Sequence, residues 1–196
     1  MVSPDPPPDD DIVANILFTF MAGFETMAIM MAAVPFLLAH HPEIQQRVYE
    51  EVVAASGGDD RRINFETVKE LKYMEAVLSE AIRMYPFTYP FTERRVSKEY
   101  DWNGIRLPVG LHIFVPIYLM HMDEEYHPHP ETFDPDRFMP DRIRDMDPFT
   151  YLPFGHGQRA CPGNRFAMVE AKAALSRIIL EFEFIKVNNS PGFIDV

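Results

Sequence analysis

Followed for its apolar and polar positions, the chain opens on residues 12–39, IVANILFTFMAGFETMAIMMAAVPFLLA, an almost unbroken apolar run with one carboxylate, Glu25, near its middle. Such a run reaches the roughly 20-residue length that spans a bilayer, but a carboxylate at the bilayer centre costs about 3 kcal/mol, so the pattern predicts a buried core helix. A second helix follows in HHPEIQQRVYEEVVAASGG, with Pro42 in its first turn, Ile44, Val48 and Val52 on one face, and Gly57-Gly58 as its stop. Leu71, Met74, Leu78, Ile82 and Tyr85 recur at helical spacing and predict a third helix over residues 66–85, ended by Pro86. Over residues 89–116 the pattern changes to short strands, with Asn103-Gly104 suited to a hairpin turn and LHIFV a compact apolar run. Residues 121–153 hold too many prolines for regular structure and read as a long meandering loop. A last helix, NRFAMVEAKAALSRIILEF, places Met168, Ala171, Leu175 and Ile178 on one stripe. The class is mainly α with a small β-sheet, α+β.

Composition narrows the function. The 196 residues are 47% hydrophobic, enough to bury the core of one domain or to form one piece of a larger one. A net charge of −12, from 18 Lys and Arg against 30 Asp and Glu, excludes a broad nucleic-acid surface and leaves small molecules or proteins as partners. The acidic, proline-rich opening MVSPDPPPDDD reads as a linker over residues 1–10, not as a signal peptide, with one domain portion over 11–187 and a tail over 188–196. The single cysteine, Cys161, forms no internal disulfide and is inert packing, reactive, or a ligand.

Its surroundings, FGHGQRACPG, favour the ligand. A thiolate ligand is a buried negative charge that needs donors, the positive end of a dipole and a tightly folded backbone. Gly155, Gly157 and Gly163 permit positive φ and close approach, a helix beginning at Pro162 would aim its N-terminus at the sulfur, and Arg159 adds a cation for an anionic group. His127-Pro128-His129 lacks the third ligand that a metal site in this loop would need.

The spacing Phe154-x-x-Gly157-x-Arg159-x-Cys161-x-Gly163 resembles the haem-binding signature of the cytochrome P450 monooxygenases, in which a cysteine thiolate holds the iron. The resemblance implies Cys161 as metal ligand, haem b as cofactor, and Arg159, Phe154 and Gly155 beside it. AGFET resembles the family's distal helix, implying that Ala22 and Gly23 lie against the haem and that Glu25 and Thr26 form an acid-alcohol pair guiding protons to dioxygen. On the residues alone, Gly23 opens a groove and Thr26 can bond a carbonyl one turn back, which a close helix crossing explains equally well. Glu80 and Arg83 match the family's Glu-x-x-Arg, with Arg137 of FDPDRF where a third partner is expected; alone they read as a solvated pair. Arg94, with Arg95 as the alternative, matches a position that meets a haem propionate, and Phe87, Tyr89 and Phe91 resemble residues lining the substrate pocket. His127 stands where the family often has tryptophan, Met122 and Glu124 where arginine and proline are common, and Met27 where a threonine-like residue often follows Thr26.

In family order from about residue 10 to 187, these matches imply the C-terminal part of the cytochrome P450 fold, most like the eukaryotic microsomal drug-oxidising members. The implied activity inserts one oxygen atom from O2 into an apolar small-molecule substrate. NADPH supplies the electrons through a reductase, at the cytosolic face of the endoplasmic reticulum membrane, which members reach through an N-terminal anchor outside this stretch. By itself the stretch is expected not to be competent, and its first and last helices are expected to expose apolar faces. A haem-thiolate isomerase and a non-catalytic truncated relative are the alternatives; the isomerase would have little use for Glu25 and Thr26.

Overall fold

A computed structural model of the chain describes residues 8–86 and 92–187. Helix α1 spans Asp9–His40, passes through Pro35 without ending, and starts inside the expected linker. Asp9, Asp10 and Asp11 occupy its first turn, where the N-terminal peptide dipoles favour carboxylates. Its C-terminal half enters the core through Met30, Ala33, Val34, Leu37 and Leu38. Its N-terminal half departs from the buried core helix that the apolar run predicts and meets the expectation that the first helix exposes an apolar face, for Phe18, Phe20 and Phe24 are 71%, 73% and 80% exposed. Apolar side chains surround this half, so burying it requires neighbours on every side, and the described residues supply none. By length and composition alone α1 is the one described helix that could cross a membrane.

Helix α2, Pro42–Ser56, buries Ile44, Val48 and Val52 as its pattern predicts and ends at Gly57, φ 69°. The expected single helix over 66–85 is two: α3, Phe65–Glu70, and α4, Lys72–Met84, separated at Leu71 with ψ 83°. The break frees amide N–H groups at the start of α4, and Glu51 of α2 takes two of them: Oε1 accepts from Tyr73 N at 2.7 Å and Oε2 from Met74 N at 2.8 Å. A carboxylate from a neighbouring helix therefore does what an N-cap side chain usually does. Leu71, Met74, Leu78 and Ile82 all stay buried across the break, so the apolar period shows no trace of it.

Strand β1, Thr92–Arg95, pairs antiparallel with β4, His112–Val115, and β2, Tyr100–Trp102, pairs with β3, Ile105–Leu107. The small sheet is thus two separate two-stranded ladders, the second carried within the connection of the first. Asn103 and Gly104 both take positive φ, 51° and 85°, as a two-residue primed hairpin turn requires. Helix α5, Ile117–His121, leads into the meander, whose regular pieces are 3-10 turns at Pro135–Phe138 and Ile143–Asp145. Helix α6, Asn164–Glu181, starts later than the expected Pro162, and its buried stripe runs through Ala171, Leu175 and Ile179, with Ile178 only half-buried. The core joins the inner half of α1 to α2, α4 and α6. Gln45 ties down the chain after α6, since its side chain donates to Phe184 O at 2.9 Å and accepts from Phe184 N at 2.7 Å.

Replacing Glu51 by Ala strands two amide donors at the start of α4, and a lost cap of this kind is expected to lower unfolding free energy by about 1–2 kcal/mol in urea denaturation. A midpoint equal to that of the parent would show that water caps the break as well as the carboxylate does.

Candidate functional site

The meander is held to α4 by a buried charged cluster. Arg83 donates from Nε to Glu80 Oε2 at 2.7 Å and from Nη2 to Oε1 at 2.9 Å, and both side chains are fully buried. Arg137 adds a bond from Nε to Glu80 Oε1 at 3.3 Å, and the Asp134 amide donates to the same oxygen at 3.0 Å. The remaining guanidinium donors find backbone carbonyls: Arg83 reaches His121 O at 2.7 Å and Pro130 O at 2.5 Å, and Arg137 reaches His129 O at 2.8 Å. Far from a solvated pair, Glu80 and Arg83 are the polar centre where α4, α5 and the meander meet. Outside this centre Arg47 of α2 grips Asp136 through two bonds of 3.0 and 2.9 Å and lies 3.8 Å over the Tyr73 ring. That guanidinium holds the Asp136 carboxyl below its ordinary range.

Three consecutive residues then lead out of the meander toward the cysteine. Thr150 O accepts from His127 Nε2 at 3.2 Å, the Tyr151 hydroxyl donates to Ser79 O of α4 at 2.9 Å, and Leu152 N donates to His121 Nε2 at 3.0 Å. Past this anchored stretch the chain makes a tight loop, in which Cys161 N donates to Phe154 O at 2.8 Å. Gly155 and Gly157 take φ of 71° and 77°, which side chains rarely adopt. Gly163 differs from expectation, with φ −91°, and a Cβ there would make an ordinary contact with Cys161 Sγ at 3.9 Å. The cysteine itself is exposed, just ahead of the α6 N-terminus.

Of the other predicted residues, Thr26 donates from Oγ1 to Ala22 O at 2.6 Å, the one-turn-back bond that its position allows. Glu25 is exposed and has no ion pair among the described residues, and a Cβ at Gly23 would meet nothing within 4 Å. Arg159 is exposed without a carboxylate partner among the described residues, and Arg94 of β1 spends one donor on Glu93 O at 2.8 Å. Phe87, Tyr89 and Phe91 lie outside the described residues. Sequence reasoning missed His121, Glu51 and Tyr151, whose roles depend on partners 22 to 72 positions away. It also read His127 as a departure from the family and as half of an incomplete metal site, not as the anchor of Thr150 O.

The cytochrome P450 family model matches residues 3–193, nearly the whole chain. The chain belongs to the cytochrome P450 family. Among its relatives, Cytochrome P450 9e2 of Blattella germanica is 38% identical over 191 residues, 93% of this chain and 35% of that protein. Probable cytochrome P450 6a13 of Drosophila melanogaster is 37% identical over 177 residues, 89% of this chain and 36% of that protein. Cytochrome P450 3A16 of Mus musculus is 36% identical over 174 residues, 89% of this chain and 34% of that protein. The chain therefore spans about a third of the length of these cytochromes P450.

Replacing Arg83 by Ala leaves Glu80 buried beside an incomplete set of donors, a change expected to cost about 3–5 kcal/mol of stability by chemical denaturation. A loss below about 1 kcal/mol would be that of a surface pair and would contradict the burial described above.

Proposed function

We propose that the protein of which these residues form part is a haem-thiolate monooxygenase and that Cys161 is its iron ligand. The observation that carries this reading is the cysteine loop: a lone exposed sulfur, set on backbone that two positive-φ glycines fold tightly. That donor suits haem iron, which cysteine thiolate holds in this family. Arg159, and Arg94 or Arg95, are exposed cations available to the propionates. When bound, haem b supplies the oxygen-activating chemistry, with one atom of O2 going to an apolar small molecule and two electrons coming from NADPH through a reductase.

The residues of this chain have distinct tasks in that reading. Cys161 Sγ would hold the haem iron, and the bond from Cys161 N to Phe154 O keeps the loop folded around it. Thr26 Oγ1 already donates to Ala22 O, so its lone pairs are left to accept a hydrogen bond from the pocket and to steer a proton there. Glu25, next in the chain, relays protons to that hydroxyl. Phe87, Tyr89 and Phe91 are assigned to the substrate by the family resemblance alone. Glu80, Arg83 and Arg137 touch no reactant and fix the approach of the meander. The pair at 25 and 26 favours oxygen activation over peroxide rearrangement, which needs no proton delivery. The protein works at the endoplasmic reticulum membrane, facing the cytosol.

Replacing Cys161 by Ala is expected to abolish the red-shifted carbon monoxide band of the reduced haem protein, since no other thiolate exists in the chain. Persistence of that band would end the assignment. Replacing Thr26 by Ala is expected to preserve the band while product formed per NADPH consumed falls about tenfold or more, with the electrons appearing as peroxide. An unchanged ratio would remove Thr26 from proton delivery.

A further inference from the structure

His121 and His127 are both buried, at 0% and 1% exposure, and their rings meet edge-on with centroids 6.3 Å apart. None of the short motifs quoted for the family resemblance includes them. Their hydrogen bonds nevertheless determine their proton positions. A backbone N–H can only donate, so His121 Nε2, which receives Leu152 N at 3.0 Å, is the bare nitrogen and its proton sits on Nδ1. A carbonyl can only accept, so His127 Nε2, at 3.2 Å from Thr150 O, carries the proton of that ring. The Nδ1 atom of each ring is buried with no hydrogen-bond partner among the described residues.

Protonating His121 turns its Nε2 from acceptor to donor against the Leu152 N–H, so the imidazolium and this bond exclude one another. The surroundings oppose the charge as well. Arg83 of α4 and Arg137 of the meander bring positive charge to the same pocket, Glu80 is engaged by both, and the neighbouring Tyr151 ring, 5.2 Å away, carries a hydroxyl that burial keeps protonated. Burial, then His127, depress His121 to about 4, and burial and Arg83 depress His127, whose bond to Thr150 O works the other way.

We infer that His121 is a positioning device for the cysteine loop, holding Leu152 N only as a neutral imidazole while His127 holds Thr150 O beside it, so that acid releases the loop at Leu152. The inference rests on Cys161 as ligand for its consequence, but not for its geometry. Because the folded pKa lies below the ordinary 6.5, the restraint is complete above that value and is lost as pH falls toward about 4.

The test uses the haem-loaded full-length protein, its His121→Gln variant, which keeps an acceptor but cannot titrate, and its His121→Leu variant, which has none. Hydrogen-exchange protection at Leu152 and the thiolate-type carbon monoxide band are followed from pH 7 to pH 4. In the parent protein, Leu152 protection is expected to fall about twentyfold between pH 7 and pH 5, with the thiolate band declining alongside it. The Gln variant should lose most of that pH dependence, and the Leu variant should lack the protection even at pH 7. Equal pH dependence in the parent and Gln variant, or full Leu152 protection in the Leu variant, would overturn the inference. Should the variants fail to fold, nitrogen-15 shifts of His121 in the parent decide: Nδ1–H and neutral at pH 7 supports it, Nε2–H or imidazolium overturns it. A parent protein without any thiolate band would defeat the haem reading alone, and Leu152 exchange would still judge His121.

Discussion

One carboxylate, that of Glu80, organises the part of the molecule that leads to the cysteine. It is fully buried and receives two guanidinium groups and the Asp134 amide. Taking such charges out of water is costly, and an apolar replacement could pack as stably, so the cluster is better understood as specifying one arrangement than as adding net stability. What it specifies is the path of a proline-rich stretch with little regular hydrogen bonding of its own. Arg83 and Arg137 have spare donors, which they spend on the carbonyls of His121, His129 and Pro130. The backbone of the meander is thereby satisfied by side chains where a helix or sheet would have satisfied itself.

The elements legible in the sequence are those whose signal is local. Pro42, Gly57 and the spacing of Ile44, Val48 and Val52 define α2, and Asn103-Gly104 defines its hairpin. The break at Leu71 is invisible because the buried positions keep helical phase on both sides, while its cap, Glu51, comes from another helix. The outer half of α1 fails for a different reason. Periodicity reports that a surface is apolar, but it does not report whether the chain holds anything to cover it.

The candidate site divides in the same way. The spacing of Glu80 and Arg83 shows only that they are neighbours on a helix, and their complete burial comes from carbonyls and an arginine about 40 to 60 residues downstream. For the cysteine loop the local signal is strong, since glycine spacing around one sulfur reports backbone shape directly. The anchors of residues 150–152 escape that logic: His121, His127 and Ser79 are unremarkable where they stand, and only folding brings them to one place.

The geometry of α1 has a mechanical consequence. At 32 residues it is a rod of about 48 Å clamped at one end, with its grip in the core at Met30 to Leu38 and its outer half unsupported by the described residues. Thr26 projects about 12 Å from the middle of that grip at Val34, so a tilt of about 5° there would carry its hydroxyl about 1 Å. A displacement of about 1 Å can cost about a hundredfold in rate where reacting groups must be aligned. Methyl-sized changes among Val34, Leu37 and Leu38 are therefore amplified along a lever that carries Glu25 and Thr26, the pair proposed for proton delivery.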